Sequence, residues 1–243
     1  MSAPFDIDAA AALLLAVRAG RAPRPASPGQ PPDEAAACAV QDRVLTALGG
    51  RPSWKMALLG GRDVRAAAMP GAEILASGAT LAGLPPDAAI EVETAFVLGR
   101  DLAPGGDARS ALDAVAEVRL AFEIVGSRMA DRTAITPLEA MADNFSSAAI
   151  VLGDPVADWR AMPDAPALWL DDARVPAPVQ DQPVAATGAF LAWLAGHAAG
   201  RGWPLVAGTV VISGARIGPL PLGAARMAQA RMGGASVCLR LGA

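Results

Sequence analysis

Residues 90–102 read IEVETAFVLGRDL and contain two glutamates, Glu91 and Glu93, inside a run that is otherwise apolar. Side chains of an extended strand alternate between its two faces, so these two carboxylates point the same way. Both faces are otherwise largely apolar, since the glutamate side continues with Ala95 and Val97 and the other side has Ile90, Val92, Phe96 and Leu98. The pattern predicts a strand that is covered on both sides. Two carboxylates held about 5–7 Å apart near buried surface repel each other unless a cation lies between them.

A second segment, EVRLAFEIVGS at residues 117–127, places a third glutamate in the same situation. Its alternate positions Val118, Leu120, Phe122 and Ile124 share one face, which leaves Glu123 on the other. Three oxygen ligands from neighbouring strands suit Mg²⁺ or Mn²⁺, with water and substrate completing an octahedron. The residues alone leave a second interpretation open, in which these carboxylates are solvated groups at strand ends.

The chain has twenty Lys and Arg residues, and Lys55 is the sole lysine among them. A general preference for arginine in this protein explains that count without any functional role. The other explanation is that lysine chemistry is needed at this position, because an ammonium group can titrate and a guanidinium effectively cannot. Composition does not decide between the two.

Composition excludes several partners for this chain of 243 residues, which fits one domain of generous size. The net charge of −4 comes without a basic patch interleaved with aromatic residues, which argues against nucleic acid as a partner. No apolar run approaches the roughly 20 residues that a spanning helix needs, so we expect no membrane partner. Acidic Asp6 and Asp8 precede the apolar run 9–17, unlike a secretory signal. Cys38 and Cys238 have no metal-like spacing and are expected to be reduced, in a cytoplasmic protein.

The order of patterns along the chain predicts an α+β domain with a β-rich core and helices at its edges. Helices are expected at 8–20, at about 31–50, at 137–153 and at 186–202, with a proline-rich loop over 21–32. Short apolar runs bounded by Gly, Pro and Asp predict strands. These runs are 54–60, 72–78, 89–99, 117–127, 166–172 and 208–215.

The run of motifs resembles the 2-keto-4-pentenoate hydratase family of the fumarylacetoacetate hydrolase superfamily. The motifs are, in order, WKMALLGG, IEVETAFVLGRDL, AFEIVGSR, MADNFSSAAIVLG, GTVVISGARIGPLPLG and GGASVCLRL. The resemblance covers nearly the whole chain and implies a mixed β-roll core. It also implies an N-terminal helical segment, 1–50, packed on a β-roll catalytic domain, 51–243, the two forming one globular unit. A homo-oligomer is expected.

The resemblance also implies roles for individual residues. Glu91, Glu93 and Glu123 match the metal ligands, and Lys55 matches the catalytic lysine, whose pKa we expect the metal and burial to lower. Ser146 and Asn144 fall where the substrate is contacted, although helix capping explains them nearly as well. The implied activity is a Mg²⁺- or Mn²⁺-dependent hydratase, a lyase acting on an unsaturated 2-oxo acid. A 2-oxo acid decarboxylase, an acylpyruvate hydrolase and a non-catalytic homologue that binds a partner remain alternatives.

The chain departs from the family pattern at several positions around the expected site. Ala89 replaces an arginine two residues before the glutamate pair, and Gly126 replaces an acid. The aspartate that pairs with the lysine has no clear counterpart, since Asp63 and Asp87 are poor substitutes. Groups that surround metal ligands tune a site strongly, so we expect weakened metal binding.

Overall fold

The computed structural model describes residues 4–59, 63–161 and 164–242. Within these ranges the chain forms five α-helices and thirteen strands. The helices are α1 (Ile7–Arg18), α2 (Glu34–Leu48), α3 (Ala108–Asp113), α4 (Pro137–Ala142) and α5 (Val184–Gly200). The strands are β1 (Ser53–Leu59), β2 (Asp63–Met69), β3 (Ile74–Ala76), β4 (Thr80–Leu81), β5 (Ala89–Leu98), β6 (Val115–Val125), β7 (Ser147–Pro155), β8 (Ala167–Leu170), β9 (Ala173–Val175), β10 (Val210–Ile212), β11 (Ile217–Pro221), β12 (Met227–Met232) and β13 (Ala235–Leu241).

The strands of the described residues form two sheets. The larger one has the order β2-β1-β10-β5-β6-β7-β3, and β11 also pairs with β5. The smaller one has the order β4-β13-β12-β8-β9. Parallel pairs such as β1 with β10 occur beside antiparallel pairs such as β5 with β6. The predicted α+β class with a mixed sheet is therefore confirmed.

Strand β5 lies in the middle of the larger sheet, and its two faces have the surroundings that the alternation predicts. Ile90 and Val92 are fully buried in an apolar cluster shared with β12 and β13 of the smaller sheet. Further along the same face, Phe96 packs in a second cluster with residues of α3 and α5. On the opposite face, Ala95 packs in another apolar cluster with Ala121 and Ile212. On that face Glu93 is buried and Glu91 is partly buried.

The N-terminal helices begin and end where the local sequence predicts. Asp6 and Asp33 cap α1 and α2, each accepting a hydrogen bond from a backbone N–H of the first turn. Gly49 follows α2 with a positive φ of 73°, a conformation that suits glycine. The helices α1, α2 and α4 share one apolar cluster, and α2 also contacts β2. This cluster lies behind the turn that follows α4.

One predicted helix is wrong. The expected helix 137–153 ends at Ala142, and residues 147–155 form strand β7 instead. Three residues with positive φ, 144–146, separate the two elements, and the strand after them contains the β-branched pair Ile150 and Val151. Helix α3 and strands β2, β4, β9, β11, β12 and β13 were not predicted. The last residue of the predicted strand 54–60, Gly60, lies outside the described residues. None of the helices described is both long and apolar enough to span a membrane.

Candidate active site

Three glutamates converge on the inner face of β5 and β6. Glu91 lies directly opposite Glu123 in the antiparallel register, and Glu93 follows two residues along β5. One carboxylate oxygen from each of the three lies within 4.8 Å of the others. The convergence predicted from their strand faces is confirmed. Like charges directly opposite each other destabilise a sheet, so this arrangement needs a compensating cation.

Lys55 provides one such cation from two strands away. It lies on β1, in register with Ile212 of β10, which in turn pairs with β5. Its ammonium group donates a hydrogen bond to Glu123 Oε1, and both side chains are buried. Burial alone lowers the pKa of Lys55, but the charges of Glu123, Glu91 and Glu93 outweigh it, so the pKa is raised. The expected lowering of this pKa by a bound metal stays a prediction.

One ammonium does not compensate three carboxylates. Burial, followed by the charge of Glu123, raises the pKa of Glu91 to about 7, and burial with both neighbouring carboxylates raises the pKa of Glu93 well above its usual range. Glu93 Oε1 and Glu123 Oε2 are buried, and neither has a hydrogen-bond partner among the described residues. Buried polar atoms without partners are uncommon in proteins. Three close carboxylates with spare oxygens fit a divalent cation of the Mg²⁺ or Mn²⁺ type.

A loop between β10 and β11 covers Glu93. Ser213 and Arg216 each donate a backbone hydrogen bond to β5. Between them, the N–H of Gly214 donates a 2.7 Å hydrogen bond to Glu93 Oε2. Gly214 has a φ of 96°, which is readily accessible to glycine. The side-chain amide of Gln182 donates to the carbonyls of Ser213 and Gly214, at 3.0 and 2.6 Å, and so holds the loop in place.

Sequence reasoning missed both Gln182 and the contact of Gly214. Gly214 belongs to the motif SGARIG, which the sequence analysis singled out, whereas no sequence motif marks Gln182. Its contact exists only because the segment before α5 returns to the β10–β11 loop.

The carboxylates open into a cleft of about 530 Å³. The charged groups in its lining are Lys55, Glu91, Glu93 and Asp181. Phe145 and Met56 contribute apolar surface to the lining, and the segment 180–182 and the 214–215 loop complete it. A cleft with convergent charged groups and an apolar wall suits a small ligand with a polar head.

Asn144 and Ser146, the expected substrate contacts, lie beside this cleft without being part of its lining. The amide of Asn144 donates to the carbonyl of Ala68, and its oxygen accepts from Arg18 Nη2 at 3.0 Å. Ser146 is buried, and its backbone carbonyl accepts from the N–H of Gly126. A substrate contact by Asn144 would require one of its hydrogen bonds to be exchanged. Neither residue is a helix N-cap, so the capping explanation is wrong.

The altered positions of the family pattern do not all surround the carboxylates. Gly126 lines a different cleft, of about 440 Å³, together with Arg18 and Arg128. An added Cβ there would lie 3.2 Å from the Cβ of Ala148, so the position has little space for a larger side chain. Gly126 thus lies at a different cleft from the carboxylates, and its effect on metal binding stays a prediction.

Asp87 and Ala89 concern the aspartate and the arginine of the family pattern that this chain lacks. Asp87 accepts hydrogen bonds from Arg24 at 2.7 and 2.9 Å and does not line the carboxylate cleft. It therefore does not replace the aspartate that pairs with the lysine in the family. Ala89 lies on β5 on the same face as Glu91 and is buried. The absence of an arginine at position 89 therefore removes a cation next to Glu91.

Comparison of sequences confirms the resemblance over about half of the chain. The chain is 39% identical over 142 residues to a 2-keto-4-pentenoate hydratase of Paraburkholderia xenovorans (strain LB400), a match that covers 54% of this chain and 49% of that protein. The chain thus spans about half the length of the curated relatives that it matches. No protein-family model matches the sequence.

Comparison of structures extends over the whole chain. The 4-oxalocrotonate decarboxylase from Pseudomonas putida G7, complexed with calcium and acetate, superimposes with a TM-score of 0.79 at 19% identity, covering 99% of this chain and 100% of that one. Fumarylpyruvate hydrolase from Pseudomonas aeruginosa, in complex with Mn²⁺ and pyruvate, gives a TM-score of 0.56 at 14% identity, covering 79% and 89% of the two chains. The protein has the fold of the fumarylacetoacetate hydrolase superfamily, with the mixed β-roll that the motifs implied.

Proposed function

We propose that this protein is a divalent-metal-dependent lyase that hydrates an unsaturated 2-oxo acid. The observation that carries the proposal is the convergence of Glu91, Glu93 and Glu123 beside a buried lysine at the base of a cleft. The relatives that share 39% identity are named 2-keto-4-pentenoate hydratases. Solved proteins of the same fold are complexed with calcium, magnesium or Mn²⁺, which supports a divalent cation at such a site.

The three glutamates would hold the cation, with Mg²⁺ as the first choice and Mn²⁺ as the second. When bound, such a cation stabilises the negative charge that develops on a 2-oxo acid during proton movement. Gly214 orients Glu93 through its N–H, so one ligand is fixed before the metal arrives. The buried oxygens without partners on Glu93 and Glu123 are the atoms left for the cation.

Lys55 is proposed as the group that holds the substrate's charge or moves a proton. Its ammonium already lies among the carboxylates and lines the cleft, so it can reach a ligand bound there. Positioned acid–base groups contribute rate factors of about 10²–10⁴. The apolar surface of Phe145 and Met56 keeps water away from one side of the same space.

A second candidate function is decarboxylation of a 2-oxo acid. The observation in its favour is the structural similarity to 4-oxalocrotonate decarboxylase over 99% of this chain. Both reactions require negative charge to be stabilised on the same 2-oxo acid head, so the carboxylates and Lys55 serve either one. The two reactions differ in the part of the substrate beyond the 2-oxo acid head, which the rest of the cleft must accept.

The test is a panel assay of the purified protein with 2-hydroxypenta-2,4-dienoate, 4-oxalocrotonate and an acylpyruvate, each with Mg²⁺, Mn²⁺ or a chelator. We expect metal-dependent turnover of the dienoate, and we expect Glu93→Gln to abolish it while leaving the fold unchanged. Turnover of 4-oxalocrotonate with release of CO₂ would establish the second candidate instead. Absence of turnover on all three, together with absence of metal binding, would favour a non-catalytic homologue.

A homo-oligomer and a cytoplasmic location are also part of the proposal. Light scattering of the purified protein tests the oligomeric state.

A further inference from the structure

Phe145 is the aromatic residue of the carboxylate cleft in the described part of the chain. It lines the cleft together with Lys55, Glu91 and Glu93. Its ring is half-buried, because it also packs against the apolar cluster formed by α1, α2 and α4. The ring therefore has a packed helical cluster on one side and the open cleft on the other.

The backbone that carries this ring is in an unusual conformation. Asn144, Phe145 and Ser146 have φ values of 53°, 49° and 63°. Left-handed backbone is uncommon for residues other than glycine, and three such residues in succession are rarer still. Strained backbone of this kind persists where the surrounding structure holds it, and it is found preferentially at functional sites.

Buried hydrogen bonds fix both sides of the strained turn. Before the ring, Asn144 is held by Arg18 Nη2 and by the carbonyl of Ala68. Around the turn, Arg128 donates to the backbone carbonyls of Asp143 and Ser147, each at 2.5 Å. With both flanks held by hydrogen bonds and helices packed behind the ring, the backbone that carries Phe145 is fixed beside the cleft.

We propose that Phe145 is the specificity-determining residue of the site, the wall that limits the length of the substrate's tail. This inference rests on the proposed function, in which the carboxylate side of the cleft receives the 2-oxo acid head. A short uncharged tail would lie against the ring, because the ring offers apolar contact and no hydrogen-bonding group. A longer tail would meet the ring, which the fixed turn and the helical cluster behind it hold in this position.

The test compares the wild type with Phe145→Ala and Phe145→Leu. Binding of 2-oxobutanoate, 2-oxohexanoate and 2-oxooctanoate is measured by calorimetry in the presence of Mg²⁺, so the readout does not depend on turnover. We expect the wild type to prefer the shortest acid. Phe145→Ala should shift the affinity ratio toward 2-oxooctanoate by at least about tenfold, with Phe145→Leu between the two.

Two results would overturn the inference, and they can be told apart. An affinity ratio that is the same in the wild type and in both variants would show that Phe145 does not set tail length, with the proposed function intact. Failure of a folded, Mg²⁺-binding wild type to bind any of the three acids would overturn the proposed function and this inference with it. Should Phe145→Ala fail to fold, Phe145→Leu keeps the apolar volume and carries the comparison alone.

Discussion

Lys55 is in surroundings that few side chains tolerate. Its ammonium is buried among three carboxylates and has a direct hydrogen bond to Glu123. A buried ion pair is weak evidence for stability, because desolvation of both charges offsets much of their attraction. The position of this pair at the base of a cleft therefore favours lysine chemistry over a general preference for arginine.

We expect Lys55→Arg to retain the fold and lose at least about 100-fold in kcat, because arginine keeps the charge but neither fits the same reach nor gives up a proton. The measurement is turnover of the dienoate, with Mg²⁺ affinity and the unfolding midpoint measured on the same samples as controls. Near-normal kcat in this variant would assign the lone lysine to compositional bias.

The raised pKa values of the glutamates predict how stability depends on pH in chelator-treated protein. The folded pKa of Glu91 is about 7, and that of Glu93 is also raised, so the folded state binds more protons than the unfolded chain between about pH 4.5 and 7. Their contribution to stability is fully present below the unfolded pKa and is lost as the pH rises through the folded pKa. For Glu91 this loss amounts to at most about 3 kcal/mol.

The check is the free energy of unfolding between pH 4.5 and 7.5, for the wild type and Glu91→Gln. We expect a smaller loss of stability with rising pH in the variant. The contribution of His197 to stability changes with pH in the opposite direction, because burial and then Arg201 lower its pKa. Both proteins contain this histidine, so its contribution cancels in the difference between their profiles. Parallel profiles for the two proteins would contradict the prediction.

At the scale of elements, the turn between α4 and β7 connects the helical cluster to the cleft. Its flanks are held by the partly buried Arg18 and the buried Arg128. A left-handed backbone costs roughly 1–2 kcal/mol per residue other than glycine. The hydrogen bonds and the packing of Phe145 must therefore offset a strain of several kcal/mol over the three residues.

Because of this strain, we expect glycine to be more stabilising than alanine at position 145, the reverse of their order inside a helix. Phe145→Gly and Phe145→Ala both lose the packing of the ring, but glycine adopts the positive φ without steric cost. We expect the glycine variant to be more stable than the alanine variant by about 1 kcal/mol, measured by denaturant unfolding. The matched control is Ala189→Gly at an exposed site inside α5, where the same exchange should cost about 1 kcal/mol. An alanine variant more stable than the glycine variant at position 145 would refute the strain argument.

At the scale of the whole molecule, the site is assembled from strands that lie far apart in sequence, and its metal affinity depends on all of them. Because Ala89 leaves Glu91 without a neighbouring side chain to orient it, we expect weak Mg²⁺ binding, with Mn²⁺ binding more tightly. Loss of a group around a metal ligand typically costs 10–100-fold in affinity or activity. Calorimetric titration with both metals measures this, and Glu123→Gln is the control that should bind neither. Tight Mg²⁺ binding by the wild type would show that other groups replace the missing arginine.

The sequence by itself determined which side chains share a face and which class of fold carries them. Period-two alternation placed Glu91 and Glu93 together and Glu123 equivalently, and the order of motifs predicted the β-roll. Both signals are local or depend on order along the chain, so they can be read without coordinates. The helix predicted at 137–153 failed because the buried contacts of Asn144 and Arg128, made with distant residues, outweigh the local helical pattern.

Only the tertiary structure decided how those faces meet. It paired Glu91 with Glu123, brought Lys55 to them across β10, and placed Gly126 at a different cleft from the one its motif suggested. Gln182, without any sequence signal, proved to hold the loop that orients Glu93. Strand register and loop closure join residues more than a hundred positions apart, and the free energy of such contacts depends on the packing of the whole chain rather than on any local pattern.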